Sequence, residues 1–130
     1  MTRRFFLLCA LAGFAALGLQ AQGKWELLGQ RNVSDRADHD TIVVTRAKGA
    51  FRSIKIEVRR QAVDFQRVVI HFANGGDQNV AIRSTVPARG ESRAIDIDGR
   101  DRVIRSIEFW YDAKSIGRGR SATVRVLGRT

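Results

Sequence analysis

Hydrophobic residues fall at every second position over much of this chain, the pattern of strands with one buried and one exposed face. Between Phe51 and Arg59, Ile54, Ile56 and Val58 lie on one side and Ser53, Lys55, Glu57 and Arg59 on the other. Val68, Ile70 and Phe72 oppose Arg67, Val69 and His71, and Val80, Ile82, Ser84 and Val86 continue the period. Arg93, Ile95 and Ile97 mark a shorter strand. Ile107, Phe109 and Tyr111 oppose Ser106, Glu108 and Trp110, and Ala122, Val124 and Val126 alternate with Thr123, Arg125 and Leu127. Trp25 to Leu28 and Thr41 to Thr45 are two fainter candidates. No segment sustains a helical period.

Turn-forming residues separate these runs. Asn74-Gly75-Gly76-Asp77, Pro87-Ala88-Arg89-Gly90, Asp98-Gly99-Arg100-Asp101 and Ile116-Gly117-Arg118-Gly119 all tolerate the tight backbone angles of hairpins. The sole proline, Pro87, falls at a strand end, where its missing N–H does no harm. Amphipathic strands with regular turns predict an all-β fold, an antiparallel β-sandwich of about eight strands in a jelly-roll or galactose-binding-like arrangement.

The first 23 residues do not belong to that pattern. Arg3 and Arg4 precede an uncharged apolar stretch from Phe5 to Leu19, followed by Gln20-Ala21-Gln22-Gly23. Such a stretch is shorter than the ~20 residues that span a bilayer, and the profile predicts a secretory signal peptide over 1–23, cut near Ala21 to Gly23. The single domain is then 24–130, periplasmic or secreted. Cys9 lies inside the apolar stretch, behind Phe6, Leu7 and Leu8, without the small residues of a lipid-attachment site. With the leader removed, the domain contains no cysteine and stands by packing alone.

Charge adds a second theme. The chain has 23 basic and 13 acidic residues, and the leader holds two of the former and none of the latter, leaving 21 against 13, a net charge of +8. Arginine dominates, and its guanidinium fork suits carboxylate, phosphate and sulfate. The arginines of the domain are scattered between Arg31 and Arg129 rather than gathered in a tail. Arg118 and Arg120, in the Gly117–Ser121 loop, would favour an anion. Arg105, Trp110 and Arg125 would place cations beside an indole on one sheet face, and an exposed Trp110 would stack on a sugar ring.

Other chemistry is thinner. Asp35, Asp38 and Asp40, with His39 between them, are the best candidates to hold a hard cation such as calcium. Their spacing is not that of a calcium-binding helical hairpin, and a solvated loop whose Asp side chains accept backbone hydrogen bonds before the strand at Thr41 is the default reading. There is no Gly-x-Ser-x-Gly elbow and no cysteine nucleophile in the domain. His39 and His71 are the only imidazoles. A hydrolase would need His71 or an acidic pair to line a pocket, so the sequence does not indicate an enzyme.

Trp25-Glu26-Leu27-Leu28-Gly29, Asp38-His39-Asp40, Phe72-Ala73-Asn74-Gly75, Ile95-Asp96-Ile97, Ile104-Arg105-Ser106-Ile107-Glu108-Phe109 and Val126-Leu127-Gly128 together resemble a family of small exported bacterial proteins of unknown function. The resemblance implies an exported β-rich domain and carries no activity or site residue. The expectation is an exported non-enzymatic β-sandwich that binds an anionic or carbohydrate envelope component through arginines. A calcium-stabilised interaction module and a hydrolase are the alternatives. Export argues against nucleic acid as a partner, and membrane contact is expected only at the periphery. Nothing in the sequence fixes an oligomeric state.

Overall fold

The alternating runs form two antiparallel sheets packed face to face in the computed structural model, which describes residues 24–45, 48–82 and 84–130. The signal peptide expected over 1–23 lies outside the described residues. The strands are β1 (Glu26–Ser34), β2 (His39–Val43), β3 (Ala50–Phe51), β4 (Ser53–Arg59), β5 (Val63–Phe72), β6 (Asp77–Val80), β7 (Ser84–Val86), β8 (Ile95–Asp96), β9 (Arg102–Asp112) and β10 (Ser121–Arg129). One sheet runs β1-β10-β4-β8. The other runs β2-β9-β5-β6, with β3 also paired to β9 and β7 to β5.

The count is ten among the described residues rather than about eight, because two alternating runs are each divided. Arg52 separates β3 from β4, which pair in different sheets. The Val80 to Val86 run breaks after β6, so β6 pairs with the far half of β5 and β7 with its start. Ser84, grouped with core positions by its spacing, is exposed as a result.

Between the sheets lie the residues the alternation selects. Phe51, Phe65, Phe72, Phe109 and Tyr111 are the largest fully buried side chains, and Ile54, Ile56, Ile70, Ile104 and Ile107 fill the space around them. Each such side chain contributes ~1.5–3 kcal/mol by leaving water, and the cysteine-free core requires no covalent tie. Bulges re-aim the strands. In β5 the extra residue Gln66 lies between the pairs Phe65↔Tyr111 and Arg67↔Trp110. The bulge resets the alternation, so Val63 and Phe65 point inward before it and Val68, Ile70 and Phe72 after it. That reset turns Arg67 outward, beside Trp110.

Where the two sheets meet along β1 and β2, an ion pair bridges them. Arg31 of β1 reaches Asp40 of β2 at 2.9 Å. Packing is tight there: a Cβ on Gly29 would lie 2.6 Å from the Ile42 side chain.

Candidate functional site

Arg52, Arg100 and Arg129 line a cleft of about 630 Å³ together with Ser53, Asp96, Ile97 and Thr130. The main chain holds the three arginines in register. The Arg52 N–H donates to the Arg129 carbonyl at 2.9 Å, the Ile97 N–H donates to the Arg52 carbonyl at 2.9 Å, and the Arg100 N–H donates to the Ile97 carbonyl at 3.2 Å. Arg129 ends β10 opposite Ser53 of β4, and Ser53 in turn pairs with Asp96 of β8.

The turn carrying Arg100 is anchored from the opposite sheet. Gln78 of β6 is 9% exposed, and its amide donates to the Asp96 carbonyl at 2.9 Å while accepting from the Asp98 N–H at 2.8 Å. A buried amide with both ends satisfied fixes backbone as firmly as a ladder bond. Outside the cleft, Trp25 lies between Lys55 and Arg129, each cation 4.5 Å from an indole ring centre. The indole thereby limits where the Arg129 guanidinium can go.

Among the described residues, none of Arg52, Arg100 and Arg129 forms an ion pair or donates a side-chain hydrogen bond. Neighbouring cations on the sheet faces behave differently. Arg125 and Arg59 both meet Glu57 Oε1, at 2.8 and 3.0 Å, and Lys55 meets Glu91 at 3.1 Å. Partial burial pushes the Glu57 carboxyl up, but the hydrogen bonds from Arg59 and Arg125 outweigh it and hold the group below its usual 4.5.

The outer face of the six-stranded sheet carries a second polar arrangement. Glu108 of β9 receives His71 Nε2 on Oε1 at 2.8 Å and His39 Nε2 on Oε2 at 2.5 Å. His71 also presents Nδ1 to Asp77 at 2.6 Å. With a carboxylate at each nitrogen, His71 must donate twice, which only the imidazolium can do. The Glu108 bond raises its pKa above the usual 6.5; burial is the next-largest effect and opposes the rise, and the Asp77 bond adds to it. Glu108 is held below 4.5, chiefly by the His71 bond and next by His39. In the next row of the same face, Trp110 is half-buried between His39, 4.7 Å away ring to ring, and Arg67, 4.8 Å from its ring centre.

The sequence-selected candidates are not brought together. Trp110 projects from the six-stranded sheet and Arg125 from the four-stranded one, so they occupy opposite faces of the sandwich and not one. Arg105 is exposed at the bulge between Ile104 and Ser106. Arg118 and Arg120 are exposed in the turn before β10. Trp110 has its two lateral neighbours against it rather than a ring open to a ligand.

Asp35, Asp38 and Asp40 also separate. Alternation in β2 turns His39 outward and Asp40 inward to Arg31. Asp35 accepts the Gly119 N–H at 2.9 Å, and the Asp38 carbonyl accepts the Tyr111 N–H at 2.9 Å. Among the described residues no group of three or more His, Cys, Asp or Glu is arranged to hold a metal ion. His71, one of the groups a hydrolase could have used, is enclosed in its carboxylate chain and does not line the arginine cleft.

Two features escaped sequence reasoning. Arg52 and Arg100 interrupt patterns instead of continuing them, one between two strands and one inside a turn. The His71–Glu108 contact had a partial signal, because the Asn74–Asp77 hairpin sets His71 opposite Asp77; its pairing with β9 had none.

No curated protein sequence matches the chain. Among solved structures, AlgX of Pseudomonas aeruginosa superposes with a TM-score of 0.54 at 16% identity, over 81% of this chain and 27% of AlgX. This chain therefore spans about a quarter of that protein, and the likeness is one of fold. A low-affinity xylan-binding module, CBM86 of Roseburia intestinalis, gives a TM-score of 0.45 at 12% identity, covering 85% of this chain and 86% of the module. The coat protein of tobacco streak virus gives 0.39 at 13% identity, over 83% of this chain and 86% of that one. The family described as Domain of unknown function (DUF2541) matches residues 5–128, nearly the full length, and the chain belongs to that family.

Proposed function

We propose that this chain is an exported, non-enzymatic binding module that takes up an anionic component of the cell envelope through the Arg52–Arg100–Arg129 cleft. One observation carries the reading: three arginines with no carboxylate partner among the described residues line one cleft, and main-chain hydrogen bonds tie their backbones together. Like charges so placed repel one another, and an anion relieves that repulsion while accepting charge-assisted hydrogen bonds. The net charge of +8 that follows leader removal draws anionic polymers to the surface and raises the rate of encounter.

Co-sedimentation with lipopolysaccharide, peptidoglycan fragments and heparin at low and high salt tests this reading. Binding to at least one of them should weaken as salt rises. It should also fall at least tenfold in the R52A/R100A double variant, while R118A/R120A keeps most of it. Salt-insensitive binding, or none, overturns the proposal. Protein from the periplasmic or culture fraction should begin near residue 24, and an intact leader there would remove the export step.

A further inference from the structure

We infer that the anion recognised in this cleft is the carboxylate of an acidic sugar, so that the ligand is a uronate-bearing oligosaccharide and not a bare phosphate or sulfate. The inference rests on the cleft being an anion site and adds the chemistry of what carries the anion.

The cleft is not lined by donors alone. Asp96 is exposed on its wall, forms no ion pair among the described residues, and accepts the Ser53 hydroxyl at 3.3 Å. For an inorganic anion this carboxylate is only a source of repulsion. A sugar acid presents two kinds of group at once, a carboxylate that matches a guanidinium fork and ring hydroxyls that donate to a carboxylate. Arg52, Arg100 and Arg129 meet the first requirement, and Asp96 with Ser53 meets the second.

Size points the same way. A volume of 630 Å³ lies within the roughly 300–1,000 Å³ typical of clefts that hold organic ligands, far larger than one tetrahedral anion fills. The wall is also rigid where it must discriminate. Asp96 pairs with Ser53 in the β4–β8 ladder, and its own carbonyl is held by the buried Gln78 amide.

Calorimetry with trigalacturonate, galactotriose and inorganic phosphate, on the leaderless protein and on D96N, R52A/R100A and Q78A variants, separates the possibilities. Trigalacturonate should bind, and galactotriose and phosphate should bind at least tenfold more weakly. Asp96→Asn keeps the acceptor for Ser53 but removes the charge. It should lower trigalacturonate affinity about tenfold, the worth of a hydrogen bond to a charged group, and leave phosphate binding unchanged or stronger. D96N binding trigalacturonate as well as or better than the native protein overturns the acidic-sugar inference and leaves the anion site standing. Phosphate binding as tightly as trigalacturonate does the same. Unchanged trigalacturonate binding in R52A/R100A, or none of the probes binding the native protein, overturns both readings. Matching melting temperatures of D96N and the native protein exclude misfolding as the cause of a loss.

Discussion

Replacing Tyr111 by Phe should make this protein more stable, the reverse of what deleting a buried hydroxyl usually does. The ring is 1% exposed and packs on Phe109, with ring centres 5.8 Å apart, while the hydroxyl finds no protein hydrogen-bond partner among the described residues. A buried hydroxyl left unpaired costs ~1–3 kcal/mol relative to its hydrated state. The ring contacts are common to Tyr and Phe, so Y111F should recover about 1 kcal/mol or more. In a domain of this size that raises the melting temperature by roughly 4–8 °C. The same site predicts an alkaline effect. Burial, and then the nearby Asp40 and Asp38 carboxylates, push the phenol from 10.0 up to about 12, with Arg31 opposing. Between those values the folded protein retains a proton that the unfolded chain has lost, so stability falls as pH rises across that window. A shift of that size corresponds to about 3 kcal/mol at ~1.4 kcal/mol per pH unit. Because the chain has one tyrosine, its ultraviolet tyrosinate band reports this group alone. Thermal melts of the native protein and Y111F from neutral pH upward should therefore diverge above pH 10. A loss of about 1 kcal/mol in Y111F at neutral pH, or a tyrosinate midpoint near the ordinary 10 in the folded protein, refutes the reasoning.

Further expectations concern other parts of the structure. The His71–Glu108 pair should give a stability maximum. The raised His71 pKa contributes fully below 6.5 and is lost as pH climbs through its folded value, while the lowered Glu108 pKa contributes above 4.5 and is lost as pH falls through its own. Urea melts should thus show H71N and E108Q most destabilised near pH 5.5, and an NMR titration should place His71 above 6.5. Gln78→Ala strips partners from the Asp96 carbonyl and the Asp98 N–H, which should cost ~1–3 kcal/mol in chemical denaturation and weaken ligand binding at the arginine cleft. Gly128→Ala would set a methyl 2.7 Å from the Phe51 ring and 2.9 Å from Leu28, both core residues. Overpacking of that kind should cost ~1–3 kcal/mol, seen as a lower melting temperature without loss of fold.

Alternation revealed most of the strands because each sheet has one wet and one dry face, so the sequence period and the burial period coincide. It failed where the backbone changes phase. Val63 and Phe65 of β5 are core residues, yet the Gln66 bulge shifts them out of step with Val68, Ile70 and Phe72, and a fixed period of two cannot join them. The same holds in β9, where Ile104 and Ile107 both point inward across the Arg105 bulge. β1 was read only as far as Leu28 because Gly29 to Asn32 alternates with nothing. Its exposed Arg31 is matched to Asp40 across the sheet junction, not to a hydrophobic neighbour.

Function was less legible than fold, and the reason lies in where charges find partners. On a strand face, cross-strand neighbours lie directly opposite or one diagonal away, within reach of long side chains. Arg125 meets Glu57 from directly opposite by this geometry, Arg59 reaches the same carboxylate from two positions along its own strand, and His39 and His71 reach Glu108 diagonally from either side. Charges within the sheets are largely consumed in such pairs, which is why two of the candidates chosen for their place in a strand, Arg125 and Trp110, are already engaged, while Arg105 at its bulge stays exposed. A residue at a strand end has fewer cross-strand neighbours. Arg52 in the break between β3 and β4, Arg129 at the last position of β10 and Arg100 in a turn all occupy such ends, and main-chain hydrogen bonds from remote segments bring them together. An excess of arginine over acidic residues therefore emerges unpaired at the rim of a sandwich rather than on its faces. Net charge can announce such an excess, but only the pairing of β4, β8 and β10 says where it gathers.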